Sequence, residues 1–423
     1  MSDNEQNQSI ENEMVGPHTY RNNATSIPVS NRSWQQAEDN GLIHLVVNFK
    51  ENETMIVEKN GHEFINLCSC SYLGLSSHPA ILQGAIDAIN KEKTLHLSMS
   101  TLRMRLTLKE RVEAELSRLF NVKALQALSA SVAIAGTLPL IASGHLSGGK
   151  PHVMIFDRFC HFSMAYMKPT CADEALTLSC PNDELNFIED ICKKYPRVAY
   201  VTDGVYSMGG LPSIKGLLEL QEKYGLFLFF DDSHSISIKG KKGEGYILSQ
   251  MGEINDRTII VGSLGKGFGA NGAVIMLGPH TDADILRRHG GPMTWSQDMN
   301  VPGLGAVEAS IKIHQSPELG QLQDQLLQNI TLFDSMIETP QTGNKCPIRL
   351  IVLGEEDDAI RGARELFENG FYSSAVYFPI VPKGGAGLRI MIRSNISRED
   401  IIRFCNCLKD IVPKIKDERK AKG

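Results

Sequence analysis

The sequence has no excess of positive charge. Its 43 Lys and Arg stand against 49 Asp and Glu, a formal net charge of −6, which offers no basic surface for nucleic acid. It has no long apolar run either. The dense stretch YGLFLFF at 224–230 is far too short to cross a bilayer, so no membrane span is expected. The start lacks a basic region followed by an apolar run, and no secretory signal is read there. No internal repeat is present. The nine cysteines contain no CxxC pair; Cys68/Cys70 and Cys405/Cys407 have CxC spacing, which does not match the paired pattern of a zinc site. No metal is expected, and an odd set of cysteines scattered through apolar segments reads as buried free thiols in a reducing cytoplasm.

The chain does have enough apolar material for two packed lobes: 42% hydrophobic residues in a chain of 423. Residues 1 to about 40 are rich in Asn, Gln, Glu and Ser and read as a flexible arm, or one that orders only against a partner. From Ala80 onward, helical periodicity (AILQGAIDAINKE, LTLKERVEAELSRLF) alternates with short apolar runs (HVMIFD, ALTLSC, RVAYVTDG, LFLFFDDSH, TIIVGSL, AVIMLG). Runs without strict alternation suit strands covered on both faces, so the fold class is α/β with a mostly parallel sheet. After about Pro317 the texture changes to a smaller α+β lobe. The expected division is an arm and entry segment over 1–70, a large domain over 71–315 and a small C-terminal domain over 316–423.

The segment GSLGKGFGANG at 262–272 poses the functional question. A P-loop needs GxxxxGK followed by Ser or Thr, but Gly267 comes after Lys266 and Ile260 stands where the first glycine belongs. Gly267 to Gly272 match GxGxxG, yet the next residues are AVIMLGP, a strand by composition, where a dinucleotide site needs a helix. The remaining reading is strand, tight glycine turn, strand, with Lys266 at the bend. An enclosed lysine among small residues can form a Schiff base; alone, it is more simply a surface lysine in a hairpin.

Partners elsewhere decide between these. LFLFFDDSHS puts Asp231 at the end of a buried strand and His234 three residues on, where both can face one ligand; Asp232 and Ser233 suit a turn and a helix cap. His161 in VMIFDRFCHFS, and Asp203 and Ser207 in YVTDGVYSMGG, lie just past two further strands. QALSASVAIAG places Ser129, Ser131 and Val132 at a helix start fit for a phosphate. Singly these are a loop histidine, a turn aspartate and capping serines. Together, in this order, they carry weight.

That order resembles the α-oxoamine synthase family, pyridoxal-phosphate enzymes of the aspartate-aminotransferase fold (fold type I). The similarity runs from CSYLGLSSHP near residue 70 to GLRIMIRSNIS near 397. The resemblance implies pyridoxal 5'-phosphate (PLP) as cofactor, with Lys266 as Schiff-base lysine and catalytic base and Asp231 as partner of the pyridine nitrogen. It puts His234 near the cofactor's 3-hydroxyl, His161 stacked on the ring, Ser207 beside it, and Ser263, Ser131 and Val132 at the phosphate. Arg389 matches the arginine that binds the amino-acid carboxylate, with Arg393 as an alternative. The implied reaction is decarboxylative condensation of an amino acid with an acyl thioester, carried by coenzyme A or by an acyl carrier protein in trans, in a cytoplasmic homodimer. An aminotransferase or a β-hydroxy amino acid lyase is the alternative. Departures cluster at the substrate end: Cys70 replaces the usual asparagine of the SNDYLGL motif, LSMSTLRMR replaces a glycine-rich run, and Gln297 replaces a hydroxyl residue.

Overall fold

The structure is a computed structural model that describes residues 23–422 except 52 and 99. Its centre is a seven-stranded sheet. In chain order the strands of the whole molecule are β1 (Val47–Phe49), β2 (Thr54–Val57), β3 (Glu63–Asn66), β4 (Lys123–Ala127), β5 (Val153–Asp157), β6 (Leu176–Cys180) and β7 (Val198–Asp203). Then come β8 (Phe227–Asp231), β9 (Thr258–Ser263), β10 (Ala273–Leu277), β11 (Ile348–Gly354), β12 (Phe371–Tyr372), β13 (Ser374–Val376) and β14 (Ala386–Met391). The central order is β4-β10-β9-β8-β7-β5-β6. All neighbours run parallel except β10, which is antiparallel to β4 and β9.

The apolar runs are explained by burial on both faces. Val153, Ile155, Val198, Tyr200, Leu228 and Phe230 face one core, which helices Thr107–Phe120 and Val301–His314 cover. Met154, Phe156, Ala199, Val201, Phe227 and Phe229 face the other, against helix Ala130–Ala142. With side chains alternating between two buried faces, every position must be apolar, and period-2 patterning disappears.

The C-terminal lobe holds the antiparallel sheet β11-β14-β13 and helices Glu318–Met336, Glu356–Glu368 and Arg398–Lys422. In the entry segment, β3 pairs in parallel with β12 and so joins the small sheet to the chain's C-terminal part. The expectation of a flexible polar arm is corrected for part of its length. Residues 1–22 lie outside the described residues, but Asn23–Asp39 is a helix seated on this chain's own lobe. Trp34 meets Tyr377 edge-on at 5.2 Å, Ser33 bonds Glu356, and Ala37 and Leu42 enter the core. A few apolar anchors, diluted in a polar average, suffice to seat it.

A tight helix crossing joins Pro79–Glu92 to Val301–His314. A Cβ on Gly305 would stand 2.3 Å from the Gly84 carbonyl oxygen, and one on Gly84 would stand 2.8 Å from the Gly305 carbonyl. Backbone cannot yield as a side chain can. Gly305→Ala is expected to lower unfolding free energy by about 1–3 kcal/mol, measured from urea midpoints. Gly320→Ala, in a helix with nothing within 4 Å of the new methyl, is expected to be neutral or stabilising by up to about 1 kcal/mol.

Candidate active site

Parallel strands β5, β7, β8 and β9 all end on one edge of the sheet. Their register places Asp203 beside Asp231 and Asp231 beside Val261. Antiparallel β10 begins on the same edge, with Ala273 opposite both Ser263 and Ala127. The loops carrying Ser129, His161, Ser207, Asp231 to His234, and Ser263 to Lys266 therefore gather along the carboxyl edge, where open α/β sheets bind ligands.

The turn bearing Lys266 is closed by its own backbone: Leu264 N–H donates to the Gly272 carbonyl at 2.9 Å and Gly269 N–H to the Lys266 carbonyl at 3.0 Å. The GxGxxG match leads into β10 and not into a helix, as expected for a strand–turn–strand. At Gly269 (φ +73°) a Cβ would fall 2.2 Å from the Leu75 Cβ. The segment SCSYLGL thus lies directly on the turn, which brings Tyr72 over the site.

Tyr72 is the residue that sequence reasoning missed. Its hydroxyl is 2.7 Å from His234 Nδ1, and His234 Nε2 is 2.8 Å from Lys266 Nζ. Tyr72 also lies within 3.7 Å of Met391 Sδ. Two proton orders satisfy this chain: Lys266 donates to Nε2 while Nδ1–H donates to Tyr72, or the reverse. Burial drives the His234 ring well below the ordinary histidine range, assisted by the positive charges of Lys266, Arg389 and His161. Burial also lowers the Lys266 amine, although Cys70 and Asp231 push it back up. Both groups are held toward their neutral forms.

Asp231 is buried and accepts the Ser233 N–H at 3.0 Å. Ser233 in turn accepts the Ser263 N–H at 2.9 Å, tying the DDSH turn to the lysine strand. Asp232 turns away from the edge and takes the helix-terminus role, accepting the Ile247 N–H at 3.0 Å at the start of helix Tyr246–Met251. Burial raises its carboxyl to about 7. His161 stands exposed on the open side of the edge, its N–H held by Asp203 at 2.8 Å and its Nδ1 beside the Ser163 hydroxyl at 2.7 Å.

Arg389, on β14, reaches in from the C-terminal lobe and donates through Nε to the Ser207 carbonyl at 2.6 Å. Arg393 does not share this place: it is fully buried, bonds the Asn66 carbonyl, and donates to Asn395 Oδ1 at 3.1 Å. Cys70 is half-buried. At the far end, Ser129 caps helix Ala130–Ala142 by accepting the Val132 N–H at 3.2 Å, while Ser131 stands exposed. Ser263 is half-buried, with its hydroxyl accepting the Gly265 N–H at 3.2 Å. Gln297 is exposed.

An amine, imidazoles and buried carboxylates along the carboxyl edge of a sheet of this order, with a helix N-terminus at one end, define an α/β enzyme of the aspartate-aminotransferase fold. The chain belongs to the aminotransferase class I and II family, whose profile matches residues 178–408, more than half its length. It is 26% identical over 399 residues to an 8-amino-7-oxononanoate synthase of Alkaliphilus metalliredigens, covering 92% of this chain and 98% of that one. Among solved structures it superposes on a serine palmitoyltransferase from S. paucimobilis carrying PLP and myriocin, with TM-score 0.79, 18% identity and coverage of 92% and 99%. An 8-amino-7-oxononanoate synthase from Francisella tularensis gives TM-score 0.70, 22% identity and coverage of 84% and 99%.

The neutral state of His234 has a measurable consequence. As pH falls below about 6.5, the unfolded chain's histidine takes up a proton that the folded ring resists, so stability falls with acid. His234→Gln should show a shallower loss of urea midpoint between pH 7 and pH 5 than the parent. His314, held near 4 by burial, contributes in the same direction to both proteins and cancels in the comparison.

Proposed function

We propose that this chain is an α-oxoamine synthase: it joins an amino acid to an acyl thioester, releases carbon dioxide and the free thiol, and yields an α-amino ketone. The observation that carries the reading is the Lys266 amine, desolvated and bonded to His234 beside buried Asp231, in a chain that aligns with an 8-amino-7-oxononanoate synthase over nearly its full length.

The donor set fits PLP. A lysine amine lowered by burial suits the aldehyde, a buried carboxylate suits the ring nitrogen, and the helix N-terminus with Ser131, Val132 and Ser263 suits a phosphate. PLP when bound supplies an electron sink for negative charge developing at the substrate α-carbon. This chain's residues supply the rest. Asp231 would hold a proton at the ring nitrogen, and His161 would cover the ring, with Ser207 beside it. Lys266, lowered by burial, would take the α-proton, with its partner His234 orienting the amine and Tyr72 steadying the imidazole. Arg389 presents its guanidinium fork to the amino-acid carboxylate, with Cys70 flanking the same pocket.

The same reading includes a homodimer, an acyl donor on coenzyme A or on a carrier protein acting in trans, and lobe boundaries near residues 70 and 315. All nine cysteines are free, and among the described residues no helix is long and apolar enough to cross a membrane. The free thiols support a reducing, cytoplasmic setting.

The test is to incubate the purified chain and PLP with panels of amino acids and acyl thioesters, following carbon dioxide and product mass. Thioester-dependent release of carbon dioxide with a ketone product is expected; its absence across all pairs would defeat the reading in favour of transamination or carbon–carbon cleavage. Lys266→Ala should lose the borohydride-trapped cofactor adduct seen by mass spectrometry in the parent. Arg389→Lys should raise KM for the amino acid by about tenfold or more, with a smaller change in kcat, because a point charge cannot replace the bidentate fork.

A further inference from the structure

Asp203 belongs to a motif that the roles above leave unused. It ends β7 as Asp231 ends β8, and the two are register partners on adjacent parallel strands, which lie about 4.8 Å apart. The Gly204 N–H donates to the Asp231 carbonyl at 2.8 Å, which locks the two strand ends side by side. Both carboxyls are buried, at 2% and 4% exposure. Among the described residues, neither forms an ion pair with a Lys, Arg or His within 4 Å. One oxygen of Asp203 accepts the His161 N–H at 2.8 Å, and one oxygen of Asp231 accepts the Ser233 N–H at 3.0 Å.

On this geometry we propose that Asp203 is a positioning residue of the cofactor site: it shares one proton with Asp231, and as the neutral partner it fixes His161. The proposal rests on the PLP reading for the role of His161, but the shared proton does not. Two carboxylates side by side in a dry site cannot both ionise cheaply, so the pair keeps a single negative charge. The groups facing Asp203 favour its being the protonated member. Burial raises it well above the carboxylate range and Asp231 adds to this; the His161 N–H and the more distant Lys266 oppose, and Asp157 on β5 raises it again. The acid at Asp203 keeps an acceptor for His161, whose backbone and Nδ1 are both tied down. That leaves the imidazole standing in one place on the open side of the edge.

The raised acid sets the sign of the pH dependence. As pH climbs above 3.8, the ordinary value, the unfolded chain releases this proton while the folded pair retains it, and stability is lost until the folded acid ionises. An amide at the same position removes that loss. In full-length protein without added PLP, the urea midpoint of Asp203→Asn relative to the parent should therefore rise between pH 4.5 and pH 7.5. A difference constant across that range overturns the shared proton, since a purely structural substitution would not change the slope.

The second arm is PLP affinity by absorbance titration. Asp203→Asn, which retains a neutral acceptor for the His161 N–H, should bind PLP within about threefold of the parent. Asp203→Ala, which loses the acceptor, should bind about tenfold or more weakly. Equal weakening in both variants overturns the neutral acid and points to a required charge. Parent-like binding by Asp203→Ala overturns the positioning role. Failure of the parent itself to bind PLP would defeat the functional reading instead, with the pH slope still deciding the shared proton.

Discussion

A lysine amine taken out of water and handed to a buried imidazole is the interaction on which the rest of this site depends. Either group alone would be costly to bury; bonded at 2.8 Å and each pushed by burial toward its uncharged form, they satisfy one another. The bond requires the turn after β9 and the turn after β8 to stand shoulder to shoulder. The parallel pairing of those strands supplies this, together with the Ser233–Ser263 bond across their ends. It also requires something to satisfy the second ring nitrogen. Tyr72 does so from a segment some 160 residues earlier in the chain.

The site is consequently a joint product of both lobes. The sheet edge contributes the amine, the imidazoles and the carboxylates. The C-terminal lobe contributes Arg389, which touches the sheet edge through the Ser207 carbonyl. The Tyr72 segment runs between them: the Met391 N–H donates to the Leu67 carbonyl and the Ser394 N–H to the Tyr72 carbonyl, each at 2.8 Å. Arg389 and the Lys266–His234 pair therefore share a mechanical link, since the strand bearing the arginine also supports the tyrosine that bonds the imidazole.

Much of this is readable from the sequence where local pattern and tertiary role coincide. The buried strands β5 and β7 to β10 announce themselves by continuous apolar runs, and the lysine turn by glycines whose sequel is a strand. Where pattern and role part, the sequence is a poorer guide. KALQA in β4 has helical composition, and β1 to β3 are short and largely exposed or half-buried, so pairing rather than propensity makes them strands. Tyr72 sits inside the SCSYLGL motif, but nothing in local spacing points to a partner 162 residues away. Arg389 and Arg393 differ in accessibility, which the sequence does not show: one donates to the Ser207 carbonyl at the sheet edge and the other is sealed in the core. The helical order of residues 23–39 is hidden in the sequence because their anchors are few.

The reversed strand in the sheet has a metrical consequence. Because β10 runs against its neighbours, its first residue faces Ser263 on one side and Ala127 on the other. The lysine turn and the start of the Ala130 helix are thus held apart by two strand spacings, about 9.6 Å. Hydrogen-bonded backbone, not loop conformation, sets this gauge. A ligand that touches both ends is measured against a rigid length.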